Sequence, residues 1–348
     1  MKKVYFIGAI FIFIVISILS CKKDDDGVDV IPPRDRGEEA IPSTAEIETY
    51  LNTHFYNYED FENPGSDFDF KIRFDTIAGN NSSRIPLIDQ VSFKNVKDRL
   101  DESVTYKLYY LNVIQGEGES PNFPDITSIN YEGTYLNNET KDQDNNFVNT
   151  SELFDSSVLP VTFDLTQVVP GLQDVLVEFN AATSSELLSD GTTGYENYGV
   201  GAAFIPSGLG YYVTTPPGIP VYSQLIFTFQ LVESEIGDQD GDTIPSIYED
   251  IDNDGNVADD DTDGDTIPNF VDIDDEGDGR LTKNEVLETV YPAFLEGTDE
   301  PILASNEVET KRVAEIDEVT METMITITTI TFTDIDGDGT PDYLDPDN

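Results

Sequence analysis

Alternating carboxylates are the densest chemistry in this chain. In DDEGDGRLTKNE, Asp274, Glu276 and Asp278 stand at positions one, three and five of a twelve-residue loop. Gly279 falls at six, the Arg280 carbonyl at seven, Thr282 at nine and Glu285 at twelve. That is the template by which a loop supplies six to eight oxygens to Ca²⁺, with glycine allowing the sharp turn and the last carboxylate binding through both oxygens.

Neighbouring stretches repeat the scheme more loosely. DQDGDTIPSIYE offers Asp238, Asp240, Asp242 and Glu249 at one, three, five and twelve, and DTDGDTIPNFVD offers Asp261, Asp263, Asp265 and Asp272 in the same places. DIDNDGN supplies Asp252, Asp254 and Asn256, and DIDGDGTPDYLD supplies Asp334, Asp336, Asp338 and Asp345. A disordered acidic tail would not keep Asp at one, three and five with Gly between them so many times. Thr at position six, with Pro close behind, makes these loops resemble thrombospondin type 3 repeats more than paired EF-hands. That resemblance implies little hydrophobic core, several structural Ca²⁺ ions, and folding energy drawn largely from ion binding. The Ile244-Pro245 and Ile267-Pro268 pairs would give small apolar contacts between turns.

The charge balance agrees with a cation partner. With 70 Asp and Glu against 18 Lys and Arg, the chain carries a formal charge of −52. Such a surface repels nucleic acid, and no basic cluster interleaved with aromatics is present, so no nucleic-acid partner is expected.

The N-terminus sets an address. MKKVYFIGAIFIFIVISILSC runs from a basic start through an apolar stretch to Ser20 and the only cysteine, Cys21. It reads as a lipoprotein-type signal over residues 1–21, with lipid on Cys21 tethering the chain to the outer membrane of the cell envelope, facing either periplasm or surface. Residues 22–41 then form a linker, and no thiol remains for redox work.

The elements between are mixed. Residues 42–102 read as an α+β extension. There Ser43 is a candidate N-cap with Glu46 three residues on, and Ile47, Tyr50, Leu51 and Phe55 follow at helical spacing. FDFKIRFDTI alternates as a strand would. His54, the only histidine, is assigned no role. Residues 103–234 are mostly strands: VTYKLYYLNVI, ITSINYEGTYL, PVTFDL, GVGAAFIP and SQLIFTFQLVE. One short helix, VVPGLQDVLVEF, places Val168, Leu172, Val175, Leu176 and Phe179 on one face. The fold class is α+β, with this helix covering one face of an antiparallel sheet, followed over 235–348 by a loop-rich acidic repeat region. In that last region EVLETVYPAFLEG is expected as a helix and ETMITITTITF as a strand.

The order NYEGTYL, FDSS, PVTFDL, VVPGL, FIPSGLGY, GIPVYSQLIFTFQL resembles the FK506-binding-protein (FKBP) type of peptidyl-prolyl isomerase from about Tyr106 to Glu233. With the lipoprotein start and acidic tail, the whole chain resembles isomerase lipoproteins of Bacteroidetes-type bacteria. The resemblance implies an antiparallel sheet wrapped around a short helix. Its pocket walls would be Tyr131, Phe154, Val161, Val168, Val169, Ile219 and Phe227, with Leu172 as the floor. Asp155 would lie near the substrate carbonyl, and Tyr211 and the Val169 amide would hold neighbouring carbonyls.

Such a site needs no cofactor. Rotation about an Xaa-Pro bond faces a barrier of about 18–20 kcal/mol from amide resonance, and a water-excluding aromatic pocket that prefers the twisted imide lowers it without a covalent step. Three departures from the family pattern stand out. Leu172 replaces the frequent Trp floor, no Arg in FDSSVLP pairs with Asp155, and an insertion at about 181–197 would form a lid or a plain surface loop. Three functions therefore stay open: a tethered isomerase acting on proline-containing clients, a prolyl-binding chaperone without turnover, and a calcium-dependent adhesion or scaffold protein.

Overall fold

The computed structural model describes residues 32–137, 149–189, 191–298, 300–317 and 319–347. The leader and Cys21 lie outside these residues. Among the described residues no helix is long and apolar enough to cross a membrane.

The described chain starts with helix α1 (Arg36–Thr53), strand β1 (His54–Tyr56), helix α2 (Tyr58–Glu62) and strand β2 (Phe74–Thr76). Strands β3 (Ser92–Lys97), β4 (Thr105–Ile114), β5 (Ile126–Asn137) and β6 (Thr150–Asp164) follow, then helix α3 (Pro170–Leu176). Next come β7 (Ser184–Leu187), β8 (Thr193–Glu196), β9 (Gly199–Ile205) and β10 (Leu225–Glu235). The C-terminal part adds β11 (Val286–Val290), β12 (Phe294–Leu295), β13 (Glu307–Ile316) and β14 (Thr323–Phe332).

Six strands make one antiparallel sheet in the order β3-β4-β9-β10-β5-β6. Side chains alternate across it, as a period of two requires. Ala203 and Ile205 of β9 with Phe227, Phe229 and Leu231 of β10 pack with Leu172, Val175 and Leu176 of α3. Val200, Ala202 and Phe204 with Ile226 pack in a second cluster with Ile47, Tyr50 and Leu51 of α1. Both faces are thus covered, not one. The reason lies in β9, where GVGAAFI is buried at every position: a strand with no polar alternation has two faces to hide.

Helix α1 begins earlier than expected. Its N-cap is Asp35, whose carboxylate accepts from the Glu38 amide at 2.9 Å, and Pro42 lies within the helix. Ser43 is not a cap: it is buried and shares a hydrogen bond of 2.9 Å with Ser207 Oγ. Glu46, the expected capping-box partner, instead accepts from Gln224 Nε2 at 2.9 Å. Docking outweighs the amide lost at Pro42, because Arg36 also pairs with Asp98, whose buried carboxylate accepts from the Tyr106 hydroxyl at 3.0 Å. Of FDFKIRFDTI only Phe74–Thr76 is strand, paired with β1. His54 is buried and stacked on Tyr50 at 3.8 Å, and burial lowers its pKa.

The insertion forms the β7–β8 hairpin. In the C-terminal part, β14 pairs β13 on one side and β11 and β12 on the other. The expected helix in EVLETVYPAFLEG is therefore two short strands. Val286, Thr289 and Val290 are β-branched, Pro292 breaks the run, and the Thr/Ile ladder of β14 offers open edges. Ile244, Ile330 and Tyr343 form a small core joining the first acidic loop, β14 and the last acidic loop. Residues 35–348 cluster as one compact unit.

Candidate functional site

An apolar cavity of about 420 Å³ opens between α3, β5, β6 and β10. Eight residues expected at the pocket line it: Tyr131, Phe154, Asp155, Val168, Val169, Leu172, Tyr211 and Phe227. Ile219 and Val161 do not; Ile219 is buried in the neighbouring core. Sequence reasoning missed Phe163, Gln167 and Thr214. Phe163 had a signal, since it stands two residues from Val161 in PVTFDL and so lies on the same face of the strand as that expected wall residue.

A β-bulge sets the wall. Gly133 pairs with Asp155 and Thr134 with Leu153, leaving Phe154 as the extra residue on β6. Bulges re-aim side chains, and here Phe154 packs edge-on to Phe227 at 5.6 Å and to Tyr211 at 6.4 Å. Gly133 makes room for the rings: a Cβ there would lie 2.7 Å from Phe154 Cζ and 2.9 Å from Phe227 Cε1. Gly171 does the same for α3, since its Cβ would meet Ile205 Cγ2 at 2.4 Å. Leu172, 4% exposed, closes the floor.

Among the described residues no arginine pairs with Asp155, yet its carboxylate is held. Its Oδ2 accepts from the Tyr131 hydroxyl at 2.7 Å and its Oδ1 from the Ser156 amide at 2.9 Å. Burial, with the hydrogen bond to Asp155, pushes Tyr131 up to about 12. Burial and the Asp155 charge also raise Tyr211, so both phenols stay protonated donors at neutral pH. Among the described residues nothing accepts a hydrogen bond from the Tyr211 hydroxyl, and nothing accepts from the amide of Val169, the N-cap of α3. Two donors are therefore left for a peptide backbone beside an apolar cleft.

The acidic region repeats one local design. In each of 238–249, 261–272, 274–285 and 334–345 a short 3-10 turn closes the loop: Ser246–Tyr248, Asn269–Val271, Thr282–Asn284 and Asp342–Leu344. The residue at position nine (Ser246, Asn269, Thr282 or Asp342) is buried and hydrogen-bonds the residue at position two. Position six has positive φ in all four, at Thr243, Thr266, Gly279 and Gly339. A β-branched residue is rarely held there, so the loops are shaped by more than local preference.

Among the described residues carboxylates converge in five groups: Asp261, Asp263 and Asp265; Asp274, Glu276 and Asp278; Asp334, Asp336 and Asp338; Asp240, Asp242, Glu249 and Asp275; Asp250, Asp252 and Asp260. Positions one, three and five meet in the first three groups, as expected. Asp238, Asp272 and Asp345 stay outside these groups. DIDNDGN departs further: Asp252 gathers with Asp250 and Asp260, while Asn256 instead donates to Asp259 and the Asp254 amide donates to Asp250 and Asp252. Glu285 is buried and paired with Arg280 Nη1 at 3.0 Å. Burial and neighbouring carboxylates push Glu249 up to about 10 and Asp275 up to about 9, a measure of how poorly the apolar surroundings tolerate their charge.

Side chains tie this region to the cavity. Gln239 Nε2 donates to the Pro124 carbonyl at 2.7 Å and to Asp164 Oδ1 at 3.1 Å. Asp164 ends β6 and accepts from the Thr166 amide, capping the turn that delivers Gln167 and Val168 to the cavity. Arg99 bridges the Gly255 carbonyl and Gln173 of α3.

Residues 239–304 match the family model described as BamM C-terminal. No curated protein matches the chain. Among solved structures it is similar to FkpA from Escherichia coli, at 27% identity and a TM-score of 0.27, over 37% of this chain and 48% of that one. It is also similar to a peptidyl-prolyl cis-trans isomerase from Pseudomonas syringae, at 18% identity and a TM-score of 0.26, over 36% of this chain and 74% of that one. The chain thus spans about half the length of FkpA.

Proposed function

We propose that this chain is an envelope-tethered peptidyl-prolyl isomerase acting on Xaa-Pro bonds of exported polypeptides, with an acidic tail organised by Ca²⁺. The observation that carries the reading is the aromatic cavity with Asp155 at its edge and two unused donors, the Tyr211 hydroxyl and the Val169 amide. A prolyl ring fits an apolar cleft of this size. The donors would fix the flanking carbonyls while the walls exclude water from the imide, so the twisted, less polar state is favoured. Tyr131 positions Asp155 in the role the family gives to arginine.

The BamM C-terminal match covers the acidic region from residue 239 to 304, and lipid on Cys21 would supply the tether to the envelope. The converging carboxylate groups are all-oxygen and suit Ca²⁺ over softer ions. They would hold the loops in shape and take no part in bond rotation. A second reading, prolyl binding without turnover, is favoured by Leu172, which offers less aromatic surface than the usual floor. Titration of ¹⁵N-labelled chain with an Ala-Leu-Pro-Phe peptide tests the shared element. Shifts should centre on Phe154, Val169 and Tyr211 and vanish in Tyr211→Phe/Asp155→Ala. Absence of such shifts would remove both readings and leave a scaffold protein.

A further inference from the structure

The two acidic loops 238–249 and 274–285 are not separate in space. Asp240, Asp242 and Glu249 come from the first and Asp275 from the second, yet one carboxylate oxygen of each lies within 4.8 Å of all the others. Opposed ligands of one Ca²⁺, each about 2.3–2.6 Å from the ion, stand about 4.6–5.2 Å apart, so the four fit around a single ion. Glu249 is 0% exposed, and Asp242 and Asp275 are each 1% exposed. Both oxygens of Glu249, both of Asp275 and one each of Asp240 and Asp242 are buried without a hydrogen-bond partner. The Ser246 hydroxyl beside Glu249 gives its proton to Gln239 Oε1 at 2.5 Å. Among the described residues no Lys, Arg or His forms an ion pair with any of the four. Charges buried this way require an opposite charge.

Asp275 is the unusual member. In the other three loops position two is Gln239, Thr262 or Ile335. At Asp275 the main-chain amide takes the bond to position nine, donating to Thr282 Oγ1 at 3.1 Å. Its carboxylate is thereby left for another partner. Asp274, Glu276 and Asp278 converge on their own loop's centre, and Asp275 between them turns to the neighbouring loop.

The geometry points to a composite calcium centre of Asp240, Asp242, Glu249 and Asp275, in which a carboxylate from the 274–285 loop completes the site of the 238–249 loop and one ion ties the two together. This rests on the reading of the acidic loops as Ca²⁺ sites and names the one ion that makes them a unit. The centre is joined to the sheet, because Gly237, beside the first loop, donates its amide to Asp125 at 3.0 Å and accepts from Ser246.

The test is a Ca²⁺ titration of the full-length chain in detergent, followed by hydrogen exchange of peptides spanning 238–249, 274–285 and 334–345. In the parent chain, loops 238–249 and 274–285 should gain protection at one common free Ca²⁺. Asp275→Asn should raise the midpoint of 238–249 about tenfold or more, one charged ligand being lost, and leave 334–345 unchanged. An unchanged midpoint in that variant, with Ca²⁺ still protecting each loop, would overturn the composite centre and spare the individual sites. No protection of any loop at millimolar Ca²⁺ would overturn both. Should Asp275→Asn not fold, the parent titration decides: a midpoint for 238–249 about threefold or more below that of 274–285 would refute a shared ion, since such an ion protects both loops when it binds.

Discussion

Gly133→Ala probes the cavity wall without touching a polar group. The added Cβ would sit 2.7 Å from Phe154 Cζ, 3.0 Å from Phe154 Cε2 and 2.9 Å from Phe227 Cε1. Carbon atoms prefer about 3.5–4.0 Å, so a ring must retreat by roughly 0.8 Å. Phe227 is 5% exposed and fixed in the core, whereas Phe154 is only partly buried, so Phe154 yields. Its retreat is toward Tyr211 and the cavity. Overpacking of this kind costs about 1–3 kcal/mol, or about 2–4 °C of melting temperature per kcal/mol for a unit of this size. A displacement near 1 Å at a positioning wall lowers turnover on a prolyl peptide by about ten- to a hundredfold. Calorimetry and peptide assays should be run on Gly133→Ala, Phe154→Leu and the double variant. Because the clash is with the Phe154 ring, the double variant should recover at least about 1 kcal/mol relative to additivity. A Gly133→Ala chain that melts with the parent and binds peptide as well would refute the bulge-and-glycine account of the wall.

Other outcomes follow from the same geometry. Tyr131→Phe removes the donor that holds Asp155; since that carboxylate is exposed, melting should move by no more than about 2 °C, while turnover on the Ala-Leu-Pro-Phe peptide falls several-fold by exchange NMR. Arg36→Ala strips the buried Asp98 of its cation and should cost about 3–5 kcal/mol in urea unfolding, with exchange protection of α1 lost first. The acidic region should answer to pH and chelation together. Without Ca²⁺, Glu249 keeps its proton to about pH 10 when folded, against an ordinary value of 4.5, and Asp275 to about pH 9 against 3.8. Between those limits the unfolded chain has released protons that the folded chain retains, so stability falls as pH rises. In EGTA the melting of 238–345 should therefore be higher at pH 5 than at pH 8. With Ca²⁺ present, which binds the deprotonated form, the order should reverse.

Much of the cavity was legible in the sequence because its residues sit in short ordered motifs whose spacing survives folding: FDSS delivers Phe154 and Asp155, and VVPGL delivers Val168, Val169 and Leu172. The Tyr131–Asp155 bond was not legible. It joins side chains of neighbouring strands across a bulge, and bulge position leaves no mark in hydrophobic alternation. The second covered face could have been read from GVGAAFI. The true start of α1 was hidden by Pro42, which marks a helix start by local preference but is carried inside this helix by tertiary contacts. In the acidic region the alternation of Asp marked the loops, yet which loops share a centre depends on the chain path between them. Asp275 and Asp260 were invisible for that reason. The strands β11 and β12 were missed because their pairing partner, β14, lies about thirty to forty-five residues downstream.

The central claim is tested most directly by exchange NMR on an Xaa-Pro peptide, which reads cis/trans interconversion without a coupling protease. The chain should accelerate exchange in Ca²⁺, and Asp155→Ala and Tyr211→Phe should each reduce the acceleration while leaving the sheet folded. No acceleration by the parent chain, in Ca²⁺ or in EGTA, would contradict an isomerase.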